Sequence, residues 1–294
     1  MNERMQALVD LLDVEQIDDT IFRGRNPDHP RPRVFGGQVA AQSLMAAGRT
    51  VPGILPHSLH AYFLRPGKPG IPIIYTVDRI RDGNSFATRR VVAIQRGEAI
   101  FNMSAQFHVE EPGPSHQLPM PEVPDPEQSL QRVQEAVRKQ GGPAEGWWSR
   151  WRTEQAVEMR PVPLDDDNAD PQTRGRQYFW VRATSEMPDD PLLHLCVATH
   201  TSDHSLLSAM RRPHGGGRGH DFNRFMSASL DHALWFHRPF RMDQFILYFQ
   251  ESPVTAGARG LSLGRYFTQD GELVASVCQE GLLRPVDPSR RGRG

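Results

Sequence analysis

Apolar positions fall at helical spacing over residues 3–13, where Met5, Leu8, Val9 and Leu12 recur at i, i+3, i+4 and i+7. Residues 38–48 (QVAAQSLMAAG) are apolar nearly all round, which predicts a fully buried helix stopped at Gly48. Four β-branched and aromatic runs follow, at 58–64, 71–80, 85–96 and 99–109. Turn signals RPGKPG, RDGN and RGE separate them, so they read as strands. Residues 111–127 carry six prolines in seventeen positions and form an irregular connector. A helical stretch over 128–151 ends in Trp147, Trp148 and Trp151, a group expected to pack rather than to stack on a ligand. The pattern then repeats. A strand is expected at 177–184 and a second buried helix at 190–202, opened by Pro191. A Gly-rich loop spans 211–220. Strands are expected at 227–237, 244–252, 258–268 and 272–284, and the end from 286 reads as a disordered tail.

The two strand-rich regions align with each other. Tyr62–Pro66 matches Trp235–Pro239 at an offset of 173, and Gln95–Glu98 matches Gln269–Glu272 at 174. Ile73–Tyr75 falls on Leu247–Phe249 in the same register. These matches point to a tandem duplication, each half one buried helix followed by an antiparallel sheet, an α+β architecture. The expected organisation is a first repeat over 1–110, a connector over 111–175, a second repeat over 176–285 and a tail over 286–294.

Composition narrows the function classes. Of 294 residues, 38% are hydrophobic, enough for a sizeable core. Thirty-four basic side chains balance 35 acidic ones, so no basic excess points to nucleic acid. No run of about 18 apolar residues offers a membrane span. The opening residues carry acids where a signal peptide needs an apolar stretch, and a cytoplasmic location is expected. Cys196 and Cys278, alone in the chain, make neither a disulfide framework nor a zinc knuckle.

Three patterns could carry chemistry. Gly260–Gly264 fits G-x-S-x-G and His214–Gly217 fits an HGGG oxyanion string, but no histidine follows Ser262 as that mechanism's chain order requires. The run GLSLGRYF also reads as a strand. His194, His200 and His204 with Asp203 offer metal-compatible spacing without a complete ligand pattern, so no metal is expected. The third pattern is Asp203 at the end of the second buried helix, with Ser229 on the first strand of the second repeat and Gln279 on the last. Alternation points Gln279 away from Cys278 and Ser229 away from Leu230. A carboxylate with a hydroxyl and a carboxamide suits water activation.

The strings VFGGQVAAQSL, YFLRPG, RDGNSFATRRV, SLDHALWFHRPF and FTQDGELVASVCQEGLLR resemble the acyl-coenzyme A thioesterase II family of bacteria and peroxisomes, over about residues 5–285. The resemblance implies a double hot-dog fold, in which each half-sheet wraps a long helix. It implies hydrolysis of medium- to long-chain acyl-CoA without a cofactor, and a homo-oligomer, dimer or tetramer, is expected. The family's Asp, Thr or Ser, and Gln match Asp203 in TSD, Ser229 in SLDH and Gln279 in VCQEG. His204 departs from the family's usual Leu or Tyr, and the 211–226 loop diverges after Pro-His-Gly. The first half has no copy of the trio: Gln279 falls on Ala105 and Ser229 near Pro56, so one site per chain is expected, with the first half walling the acyl pocket. Oxyanion donors are sought near Gly36–Gly37 or the helix end. The alternatives are a hot-dog enoyl-CoA hydratase, against which Ser208 stands where a His is needed, and a non-catalytic acyl-CoA binder.

Overall fold

The computed structural model describes residues 1–30, 32–139, 155–163, 175–215 and 224–286. The Trp147–Trp151 group, the Gly-rich positions 216–223 and the tail from 287 lie outside the described residues. In the first half, α1 (Glu3–Leu12) and α2 (Gly36–Arg49) accompany β1 (Glu15–Asp18), β2 (Ile21–Gly24), β3 (Pro56–Phe63), β4 (Ile73–Asp82), β5 (Phe86–Gln95) and β6 (Glu98–His108). After α3 (Pro126–Lys139), the second half carries β7 (Val157–Pro161), β8 (Gln177–Ala183), α4 (Pro191–Ser202), α5 (Leu206–Arg211), β9 (Phe225–Ser229) and β10 (Asp231–Phe236). It ends with β11 (Ile246–Ala256), β12 (Arg259–Thr268) and β13 (Leu273–Pro285).

All strands join one antiparallel sheet in the order β1-β2-β4-β5-β6-β3-β10-β13-β12-β11-β8-β7, with β9 also on β13. The order is palindromic: β3 corresponds to β10, β6 to β13, β5 to β12, β4 to β11, β2 to β8 and β1 to β7. At the centre β3 pairs β10, with Ala233 opposite His60, Leu234 opposite Leu59 and Asp231 opposite Tyr62. Ala233 and His60 differ by 173, the offset of the sequence repeat, so a pseudo-twofold axis passes through this pair. The turns after β5 and β12 also correspond, and each holds a glycine at positive φ, Gly97 at 81° and Gly271 at 87°.

Helices α2 and α4 lie against each other beneath the sheet. Every residue of α2 from Gly37 to Gly48 is buried, which is why its sequence shows no polar face. α4 opens on Asp190, whose carboxylate accepts from the Leu192 N–H at 3.0 Å, and on Pro191, which has no N–H to leave unpaired. Contact between the helices depends on glycine: a Cβ on Gly37 would stand 2.4 Å from the His200 carbonyl oxygen, and one on Gly48 2.5 Å from Leu192 Cδ2. Position 37 near one end of α2 meets 200, and 48 near the other meets 192, so the helices run antiparallel.

One expectation is corrected. The strand expected over 227–237 breaks at Leu230 into β9 and β10. β9 pairs Ser229 with Gly281, whereas β10 pairs Ala233 with Cys278, a one-residue slip between them. The Asp231 carboxylate fills the gap by accepting the Glu280 N–H at 2.6 Å. The short elements β1, β2, β7 and α5 were not expected from the sequence; β1 (EQID) is exposed throughout and has no alternation to read.

Candidate active site

Antiparallel packing brings the C-terminal end of α4 to the N-terminal end of α2. No side chain of its own caps α2: its N-cap is Phe35, which carries no acceptor. Asp203, the C-cap residue of α4, supplies the missing acceptor from across the interface. Its Oδ2 takes the Gly37 N–H at 2.9 Å, where the positive end of the α2 dipole favours an anion. Gly36 is confined by the same approach, since a Cβ there would lie 2.8 Å from Asp203 Oδ2 and 2.7 Å from Phe63 Cε1.

Oδ1 of the same carboxylate accepts from the Ser229 hydroxyl at 3.1 Å and from Gln279 Nε2 at 2.8 Å. The three residues singled out in the sequence therefore meet at one carboxylate. Ser229 comes from the end of β9 and Gln279 from β13, whose burial alternates as expected: Gln279 is buried and Cys278 half-buried. Asp203 is itself only 8% exposed. Burial pushes its pKa up from an ordinary 3.8 to about 6, against the pull of the Gln279, Ser229 and Gly37 hydrogen bonds. In the first half, Ala105 on β6 stands where β13 carries Gln279.

The Gly37 N–H, an expected oxyanion donor, is taken by Asp203. The serine-hydrolase look-alike dissolves into packing. Ser262 lies inside β12, is 1% exposed and donates to the Leu206 carbonyl at 2.9 Å. Its flanking glycines are required by close neighbours: a Cβ on Gly260 would meet Met210 Sδ at 2.6 Å, and one on Gly264 would meet Tyr248 Cε2 at 2.6 Å. His214 pairs with Thr255 Oγ1 at 2.7 Å.

Of the histidines near Asp203, His194 stands apart, whereas His200 and His204 lie edge to face with ring centroids 5.1 Å apart and both pack on Phe35. His194 Nδ1 accepts the Met242 N–H at 3.0 Å. His200 is held near pKa 4 by burial. His204 lies over Phe35, with ring centroids 4.4 Å apart. Among the described residues no three metal-capable side chains gather. Cys196 is buried in α4, and burial raises its thiol pKa well above the ordinary value; Cys278 is raised by the same cause.

Two participants escape the sequence reading. One is the Gly37 backbone N–H as a partner of Asp203. The other is His232, fully buried on β10 behind Gln279, with Nε2 2.7 Å from Ser202 Oγ.

Residues 149–282 match the sequence model for acyl-CoA thioesterase, and residues 26–108 that for the acyl-CoA thioesterase N-terminal domain. Human acyl-coenzyme A thioesterase 8 is 37% identical over 96% of this chain and 90% of its own length. The crystal structure of an acyl-CoA thioesterase II from Mycobacterium marinum superposes with a TM-score of 0.79 at 41% identity, covering 96% of this chain and 98% of that one. A hot-dog protein from Alicyclobacillus acidocaldarius shares the fold, with a TM-score of 0.72 at 19% identity over 96% and 99% of the two chains. The palindromic sheet around two helices is accordingly a double hot-dog, and the chain belongs to the acyl-CoA thioesterase family, a family of thioester hydrolases.

Proposed function

We propose that this chain hydrolyses medium- to long-chain fatty acyl-CoA to free fatty acid and coenzyme A, using a water activated by Asp203, Ser229 and Gln279. This reading rests on one buried carboxylate, Asp203, that gathers three donors, Gly37 N–H, Ser229 and Gln279. A carboxylate has about four acceptor positions, so one remains for a water. With a pKa near 6, Asp203 is ionised at neutral pH yet basic enough to take a proton. In the proposed step the water gives a proton to Asp203 and its oxygen bonds to the thioester carbonyl carbon. Collapse of the tetrahedral intermediate breaks the carbon–sulfur bond, and the departing thiolate takes the proton held by Asp203, which restores the base. Ser229 and Gln279 fix the base and leave it no freedom to turn from the water.

What supports a medium or long acyl chain is a mostly apolar cavity of about 290 Å³ at the α4 end that carries His200 and His204. Ala7, Leu8 and Leu11 of α1 line it with Ala156 and Val157, and His200 and His204 border it. The same reading puts the trio in the second repeat, which β7 carries back to Val157 from the expected 176–285, and has the first repeat over 1–110 wall the acyl pocket, in a cytoplasmic homo-oligomer. Among the described residues no helix is long and apolar enough to cross a membrane.

The hot-dog hydratase pattern has a His five residues beyond the Asp. Ser208 stands there, and its hydroxyl is spent on Ser205 O at 2.6 Å and on the Gln177 amide. The test is release of free thiol from palmitoyl-CoA by wild-type protein and by Asp203→Asn. Release by the wild type that the variant lacks supports the reading. Binding without release would mean a non-catalytic acyl-CoA binder, and water addition to an enoyl-CoA without thiol release would mean a hydratase.

A further inference from the structure

Gln279 uses its Nε2 on Asp203, but its Oε1 is buried and has no hydrogen bond of normal geometry. The Nδ1 of His232 is in the same state. These two side chains are neighbours. β10 and β13 pair Ala233 with Cys278, and one step along that register sets His232 opposite Gln279. Side chains of directly opposed residues stand on the same face with Cβ atoms about 5 Å apart. The Gln279 amide is accordingly a polar neighbour of the His232 ring.

The proton arrangement follows from counting hydrogens. Ser202 Oγ is 2.8 Å from the Thr199 carbonyl and 2.7 Å from His232 Nε2, and a hydroxyl has one hydrogen to give. If that hydrogen goes to Thr199, the ring must present N–H at Nε2. Nδ1 and Gln279 Oε1 then face each other as two bare acceptors in a dry site, each a buried polar group left unsatisfied. If it goes to His232 Nε2, the ring proton sits on Nδ1 and is donated to Gln279 Oε1. Two buried acceptors are satisfied, at the cost of one bond to a carbonyl. Burial holds His232 near pKa 4, so the ring is neutral and has one N–H to place.

We propose that His232 is a positioning residue: its Nδ1–H binds Gln279 Oε1, forces the amide to present Nε2 to Asp203, and is held in that tautomer by the Ser202 hydroxyl. With Oε1 engaged, Gln279 cannot flip. A flipped amide would turn an oxygen lone pair on the Asp203 carboxylate and repel the base. The assignment rests on the hydrolytic reading of Asp203, but its first test is independent of activity.

In wild-type protein labelled with ¹⁵N-histidine, the ring resonances lost in His232→Asn should have the pattern of a neutral Nδ1–H imidazole. An Nε2–H pattern overturns the proposal. The kinetic test uses two replacements of unequal geometry. Asn places its amide nitrogen where Nδ1 was, and Gln places its nitrogen where Nε2 was. His232→Gln should lower kcat about tenfold with KM little changed, the loss expected for one hydrogen bond that matters in the transition state. His232→Asn should recover most of that loss. In a Gln279→Ala background His232→Gln should cost nothing further, since the residues act as one unit. Equal losses in the Asn and Gln variants, additive with Gln279→Ala, would reduce His232 to packing. If Asp203→Asn also keeps wild-type kcat, the hydrolytic reading fails; if only the His232 variants keep it, this inference alone fails.

Discussion

Replacing Asp203 by Asn should remove the pH dependence that this carboxyl gives to stability while abolishing most of the hydrolysis. Burial raises the carboxyl pKa from 3.8 to about 6, so the folded state binds the proton more tightly than the unfolded chain does. The protonated form therefore contributes stability that is full below pH 3.8 and lost as pH rises through about 6. The difference corresponds to about 3 kcal/mol. Asparagine cannot ionise, but its amide nitrogen accepts no hydrogen bond, so one of the donors that Asp203 holds loses its acceptor at every pH. The stability gap between the variant and the wild type should thus be constant below pH 4, with the variant the less stable. The gap should move by about 3 kcal/mol in the variant's favour between pH 4 and 6 and level off above pH 7. Urea denaturation of both proteins over this pH range measures the gap directly. Thiol release from palmitoyl-CoA should fall by about 10²–10⁴-fold in the same variant, the usual worth of one general base. A gap that does not change with pH would refute the claim that Asp203 is ionised at a desolvation cost. A folded variant with wild-type kcat would show that Asp203 is not the base.

Much of this arrangement is legible in the sequence because it depends on local periodicity. The duplication shows in the 173-residue offset that later proves to be the symmetry of the Ala233–His60 pair. Asp203 is placed by a helix end, and Gln279 by alternation against Cys278. His232 is hidden because alternation fails locally. In an unbroken strand, positions 229 and 232 would face opposite sides, and Ser229 and His232 could not both look toward Gln279. The one-residue slip at Leu230 restores them to one face. No pattern of residue types announces that slip; it depends on Asp231 turning back to hold the Glu280 N–H. The Gly37 contact is hidden for another reason: it joins residues 166 positions apart through a backbone atom, which has no residue identity to read. The G-x-S-x-G string misleads in the opposite way, because glycines that serve packing against Met210 and Tyr248 are identical in sequence to glycines that shape a nucleophile turn.

The remaining predictions concern the same helix ends and strands. Ser229→Thr should keep much of the activity because it keeps the hydroxyl, whereas Ser229→Ala should lose more; trapping an acyl ester on Ser229 by mass spectrometry would overturn the water mechanism. The Cys196→Ala, Cys278→Ala double variant should keep kcat within about tenfold, since Cys196 is buried and Cys278 faces away from Gln279; a larger loss at unchanged stability would make a thiol a participant. Gly37→Ala and Gly48→Ala should part company, although both glycines lie in the α2–α4 interface. At position 37 the new methyl would come within 2.4 Å of the His200 carbonyl oxygen, a backbone atom that cannot swing away. The helices must separate, at a cost of about 1–3 kcal/mol for overpacking, and the Gly37–Asp203 hydrogen bond goes with them. At position 48 the obstacle is the Leu192 side chain, which is partly buried and can rotate, while alanine in place of a helical glycine returns up to about 1 kcal/mol. Urea midpoints and thiol-release rates should therefore both fall in Gly37→Ala and stay near wild type in Gly48→Ala. Equal behaviour of the two would mean that the His200 end of the interface, and with it the placement of Asp203 over the α2 N-terminus, is looser than the contacts require.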